Sequence, residues 1–162
     1  MGPSHHALQF DTDSVEATRS AGAALGAIVR PGDVISLDGD LGAGKTVLVS
    51  GVAAGMGVEA PVTSPTFNIL VLHRGEPPLA HFDLYRLEHA EQLEDIDFWG
   101  VAESGVVSCV EWGEKFAEVM PPDRLVVEIR ADGGSRTFLV AGTGERSSAL
   151  AGEWLGKVGE AL

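Results

Sequence analysis

The residues with the clearest chemical purpose are the run Gly39-Asp40-Leu41-Gly42-Ala43-Gly44-Lys45-Thr46. It meets the pattern G-x-x-x-x-G-K-[ST], a P-loop. Glycines let the backbone curl until successive N–H groups converge, and the oxygens of a phosphate chain suit such a curl. A helix starting at Lys45 adds the positive end of its dipole at the same place. Lys45 should then reach the β- and γ-phosphates, and the Thr46 hydroxyl should ligate Mg²⁺. The run predicts binding of ATP or ADP with Mg²⁺.

The metal side of such a site needs a carboxylate at the end of a neighbouring strand. Glu111 follows the apolar run Val106-Val107-Ser108-Cys109-Val110, the pattern of a buried strand delivering an acid. Asp83 ends the run Leu79 to Phe82. Either could hold Mg²⁺, directly or through water, or orient an attacking water. Thr66 lies between the P-loop helix and the next strand, where switch segments sense the γ-phosphate. His81 reads as a strand histidine, and Tyr85 and Arg86 follow Asp83 at the same sheet edge. For the base, two groups stand out: Ser14, if the first strand lies beside the P-loop strand and brings the loop Asp11 to Ser14 close, and Arg136, at the start of a late strand. Trp112 is either a stacking platform or a core or partner-facing residue.

The elements that must position these groups alternate between apolar runs and helical patterns, which reads as α/β. Leu8 to Phe10 suggests a short strand, and Ser14 an N-cap for a helix with apolar positions from Val15 to Ile28. Val34 to Leu37 is a buried strand feeding the P-loop, and a helix from Lys45 to about Ala54 follows. Phe67 to His73 and Leu79 to Leu84 are joined too closely for a crossover and form an antiparallel hairpin. A short acidic helix covers Ala90 to Asp95. Leu125 to Arg130 and Arg136 to Val140 flank Asp132-Gly133-Gly134-Ser135, a second hairpin. From Ser147 to Leu162, Leu150, Trp154, Leu155 and Val158 recur at helical spacing, as in a docked amphipathic helix. The expected sheet is mixed, parallel around the P-loop and antiparallel beside it.

The 162 residues fit one domain, 1–162, with residues 1–7 left outside the fold argument. No apolar run approaches the ~18 residues that a membrane span needs, so no membrane role is expected. The first residues have no secretory pattern and Cys109 is the only cysteine, which points to the cytoplasm. A formal net charge of −13 argues against a broad surface for nucleic acid, though an acidic face could dock a basic partner.

Four blocks in order give a more specific pattern. They are the P-loop, Ser64-Pro65-Thr66-Phe67, His81-Phe82-Asp83-Leu84-Tyr85-Arg86-Leu87 and Val110-Glu111-Trp112. Together they resemble the bacterial TsaE family, also called YjeE, over roughly Asp13 to Val140. Val47 departs from it, standing where members commonly carry a second Thr. The resemblance implies a three-layer P-loop NTPase domain with a mixed parallel/antiparallel sheet flanked by helices. It implies a slow, Mg²⁺-dependent ATPase needed for N6-threonylcarbamoylation of adenosine 37 in tRNAs reading ANN codons. TsaB and TsaD would be its partners, and tRNA would be met only through them. Leu41, Gly42, Ala43, Gly44, Lys45 and Thr46 would hold the phosphates, and Thr46 and Glu111 the Mg²⁺. Asp83 would be the acid most tied to hydrolysis, Thr66 the switch residue, and Arg136 a residue near the nucleotide. The alternative is a small-molecule kinase on the same scaffold, which needs a second substrate pocket.

Overall fold

The computed structural model describes residues 8–40, 42–58 and 69–161. Its centre is β2 (Val34–Asp38), whose residues Val34 to Leu37 are all buried. β5 (Val107–Glu111) and β6 (Leu125–Asp132) lie on either side of it, both parallel. β4 (Leu79–Asp83) runs parallel to β5, and β3 (Leu70–His73) closes that edge antiparallel to β4. On the other side β7 (Ser135–Gly142) pairs antiparallel with β6, and β1 (Leu8–Thr12) antiparallel with β7. The seven-strand order among the described residues is β1-β7-β6-β2-β5-β4-β3. This is the expected mixed sheet, with parallel strands around the P-loop.

The condition under which the sequence would bring the loop Asp11 to Ser14 close by strand adjacency is not met. β1 does not neighbour the P-loop strand, since β7 and β6 stand between them. Its Phe10 stacks on Phe138 of β7 with ring centroids 4.6 Å apart, an apolar pairing that the short run Leu8 to Phe10 could not announce.

Strand alternation sorts side chains between two helical layers. Ile35, Leu37, Leu79, Val107 and Cys109 face α1 (Val15–Gly26), α2 (Lys45–Gly55) and α5 (Glu145–Ala161). Val34, Ala80, Phe82 and Val110 face α3 (Gln92–Asp95), α4 (Phe98–Ala102) and the 3₁₀ helix Gly113–Val119. α4 and the 3₁₀ helix lacked a sequence signal because each is too short for a helical period to emerge. Cys109 is buried, as expected.

α1 and α2 touch backbone to backbone. A Cβ on Gly26 would stand 2.1 Å from Val52 O, and one on Gly51 would stand 2.2 Å from Arg19 O. The two helices therefore share one seam, which fixes the start of α1 relative to the P-loop. α5 is docked as expected, starting two residues earlier, at Glu145. Trp154 is fully buried and donates to Ala21 O at 2.8 Å. Arg146 makes a bidentate pair with Asp33 at 3.0 and 2.8 Å. The Asp123 carboxylate accepts N–H groups of Arg146 and Ser147 in the first turn, supplying the cap that α5 needs.

Candidate functional site

The P-loop leaves β2 at Asp38 and turns at Gly39, whose φ is 153°. A Cβ there would sit 2.7 Å from Ile129 O, so the turn is closed to other residues. Gly44 is the N-cap of α2 and offers no side-chain cap, leaving first-turn N–H groups for a ligand. The loop's carbonyls are held by two cations. Lys45 Nζ donates to Gly39 O at 2.5 Å and Asp40 O at 3.0 Å. Arg136 Nε donates to Ala43 O at 2.8 Å, and its Nη1 to Gly133 O and Ser135 O at 2.9 Å. In a trans peptide, a carbonyl held on one side presents its N–H on the other. Arg136 thus fastens the β6–β7 turn to the P-loop.

The parallel register brings the acids to the same edge. Asp83 and Leu37 are both Cα partners of Glu111 on their respective strands. Glu111 is 3% exposed, and its Oε2 lies 3.2 Å from Thr46 Oγ1 and 2.5 Å from His81 Nε2. Burial holds the Asp83 carboxyl above the usual carboxylate range; the Tyr85 N–H it accepts at 3.1 Å opposes this, and Glu111 adds to it. Burial pushes Lys45 below its ordinary value, against the pull of Glu111, Asp83, Asp38 and Asp40. Asp38, beside the loop, is pushed up to about 6 by burial and by Glu114. Trp112 follows Glu111 with φ 65°, and its ring centroid lies 4.4 Å from Lys45 Nζ. Lys45, Thr46, Asp83, Glu111, Tyr85 and Trp112 border a cavity of about 340 Å³.

Across the P-loop is a second cavity of about 180 Å³, bordered by Ser14, Val15, Thr18, Val47, Gly134 and Arg136. Ser14 reaches it through the helix seam and not through strand adjacency. Its Oγ already accepts the Ala17 N–H as the N-cap of α1.

The hydroxyl–carboxylate pair Thr46–Glu111 supplies the hard oxygen donors that Mg²⁺ takes, next to an uncapped helix N-terminus suited to phosphate. The residues present therefore fit a Mg–nucleotide complex. Gly42, Gly44, Lys45, Thr46, Asp83 and Glu111 border the first cavity and Ser14 and Arg136 the second, while the Ala43 side chain is buried in the core behind the loop. Leu41 and Thr66 lie outside the described residues, as does the start of the strand expected from Phe67. The sequence did not single out His81 as a partner of Glu111. The signal was present: His81 and Asp83 are two apart on one strand, so they share the face that meets Glu111. Thr18 was unmarked, and Val15 and Val47 were noted only as a helix position and a departure from the family pattern, because ordinary helix residues line the second cavity.

Comparison with known proteins identifies relatives of the chain. The family model "Threonylcarbamoyl adenosine biosynthesis protein TsaE" matches residues 12–138. The tRNA threonylcarbamoyladenosine biosynthesis protein TsaE of Streptomyces coelicolor is 44% identical over 137 residues, 79% of this chain and 92% of that protein. The Bacillus subtilis protein of the same name is 36% identical over 148 residues, 90% of this chain and 92% of that protein. The crystal structure of Bacillus subtilis YdiB superposes with a TM-score of 0.80 at 30% identity, covering 95% of this chain and 97% of that one. On these grounds the chain belongs to the TsaE family of tRNA threonylcarbamoyladenosine biosynthesis proteins.

Proposed function

We propose that this chain is the Mg²⁺-dependent ATP-binding component and slow ATPase of tRNA threonylcarbamoyladenosine biosynthesis. The observation that carries the reading is the Thr46–Glu111 contact beside the uncapped start of α2. The P-loop N–H groups and Lys45 would hold the phosphates, and Thr46 and Glu111 the Mg²⁺. Bound Mg²⁺ would supply charge neutralisation on the phosphates. Asp83, held above the usual carboxylate range, is suited to orienting a water or accepting its proton. Leu41 and Thr66 keep the roles proposed from the sequence, phosphate contact and γ-phosphate sensing. The smaller cavity, with Ser14 and Arg136 at its border, is the proposed place of the nucleoside.

Slow turnover follows from the charge inventory. Among the described residues bordering the larger cavity, Lys45 is the one cation. Partner proteins, TsaB and TsaD in this reading, would accelerate hydrolysis on docking, and tRNA would be met only through them. The net charge of −13 supports that division, because it disfavours direct phosphate-backbone binding. No described helix is long and apolar enough to cross a membrane; the cytoplasm is the proposed location.

The test is threonylcarbamoylation of tRNA in vitro with TsaB and TsaD, with and without this chain. Lys45→Ala should abolish its contribution. Single-turnover hydrolysis should fall with Asp83→Ala and with Glu111→Ala. A Lys45→Ala protein that contributes fully would sink the reading.

A further inference from the structure

His81 is fully buried on β4, yet among the described residues only one of its ring nitrogens has a partner. Nε2 stands 2.5 Å from Glu111 Oε2, while the buried Nδ1 has no hydrogen-bond partner among the described residues. Its Cα partners on the flanking strands are Val71 and Cys109, neither of which brings a carbonyl-type side chain to Nδ1. A histidine kept only for packing would leave two polar nitrogens to satisfy where an aliphatic side chain leaves none. The compensation is the contact with Glu111. An ionised carboxylate oxygen only accepts, so the hydrogen between them belongs to Nε2. Glu111 Oε2 thus receives two donors from two elements, Nε2–H from β4 and the Thr46 hydroxyl from α2. These fix the carboxylate about its last rotatable bond.

We infer that His81 is a positioning residue that aims the Glu111 carboxylate for the divalent cation and thereby sets how tightly the site takes it. This rests on the nucleotide reading above. There the Thr46 hydroxyl is itself engaged by the cation, and His81 remains the donor that holds Glu111. Carboxylate ligands are commonly held this way by outer hydrogen bonds.

The test is the Mg²⁺ dependence of mant-ADP binding, read by fluorescence. His81→Leu should bind mant-ADP in EDTA within about twofold of the unmodified protein, while the Mg²⁺ concentration for half-maximal effect rises about 10–100-fold, the usual range for losing such a support. His81→Gln can place an N–H near the Nε2 position and should recover most of the loss. Wild-type Mg²⁺ dependence in His81→Leu would overturn the role. So would an equal loss of binding in EDTA, which marks a merely structural residue. Nitrogen-15 NMR of the unmodified protein provides a check that needs no variant: the Nε2–H tautomer is expected, and an Nδ1–H tautomer overturns the inference. Failure of the unmodified protein to bind mant-ADP at all would refute the nucleotide reading itself and this role with it. Binding that survives while His81→Leu changes nothing refutes the role alone.

Discussion

Replacing glycine by alanine in a helix should act in opposite directions at two places in this chain. Gly51 lies in α2 and Gly152 in α5. Intrinsic helix propensity favours alanine at either by about 1 kcal/mol. At Gly152 a Cβ meets nothing within 4 Å, so the propensity term stands alone. At Gly51 it would lie 2.2 Å from Arg19 O and 2.9 Å from Gly22 Cα, and both are backbone atoms with no rotamer to escape into. Ordinary contact begins near 3.4 Å, so the helices must part by about 1 Å along the seam. Overpacking of this kind costs about 1–3 kcal/mol and occasionally more, and the helices also lose their close backbone contacts. Gly51→Ala should therefore lose about 2 kcal/mol net, and Gly152→Ala gain up to about 1 kcal/mol. For a chain of this size each kcal/mol moves the melting temperature by about 2–4 °C. Far-UV circular dichroism melts, with urea unfolding at 25 °C for the free energies, would read both. The seam also ties the second cavity to the P-loop, so Gly51→Ala should weaken ADP binding and Gly152→Ala should not. A Gly51→Ala protein as stable as the original would refute the steric argument. A destabilised Gly152→Ala protein would refute the propensity argument.

Arg136→Ala should weaken ADP binding about tenfold without unfolding the protein, because it frees the Ala43 carbonyl and the β6–β7 turn from each other; calorimetric affinity equal to wild type would contradict this. Asp38→Asn should stabilise the protein at pH 7 and do little below pH 4. The Asp38 carboxyl is raised to about 6, so the folded state binds its proton more tightly than the unfolded state and stability falls as pH rises from about 4 to 6. The full shift corresponds to about 3 kcal/mol, and solvent screening of this half-buried group brings the expected gain to about 1–2 kcal/mol; urea titrations at the two pH values check it. Trp154→Phe should cost about 2–3 kcal/mol through the lost bond to Ala21 O and the vacated volume, with ADP affinity unchanged in the protein that remains folded.

How far the sequence could be read depended on whether a feature leaves a local pattern. The P-loop, both hairpins and the acid ending β5 do so, because each depends on a few adjacent residues of restricted type. The seam between α1 and α2 does not. Gly22, Gly26, Gly51 and Gly55 look like poor helix formers until the two helices are placed together, and then each stands against the other's backbone. The place of β1 was hidden for a similar reason, since a five-residue strand carries no label for its partner. Arg136 was marked as near the nucleotide, but its grip on Ala43 O required knowing that the β6–β7 turn folds back over the P-loop. His81 is the intermediate case. Strand alternation placed it on the face of Asp83, but its contact with Glu111 needed the parallel register of β4 on β5.

The electrostatics of the site bear on what it can bind alone. Asp38, Asp40, Asp83 and Glu111 all act on Lys45, which burial already disfavours as a cation. A polyanionic nucleotide entering without a counter-ion would meet this excess of carboxylate, and among the described residues bordering the larger cavity Lys45 is the one cation to oppose it. The same acids become favourable once a divalent cation enters between them and the phosphates. Under the proposed function, these charges favour the metal–nucleotide complex over the bare nucleotide. In the proposed reading the burden of recognition then falls on how well Glu111 is aimed, and the groups that touch its carboxylate are one hydroxyl on α2 and one buried imidazole on β4.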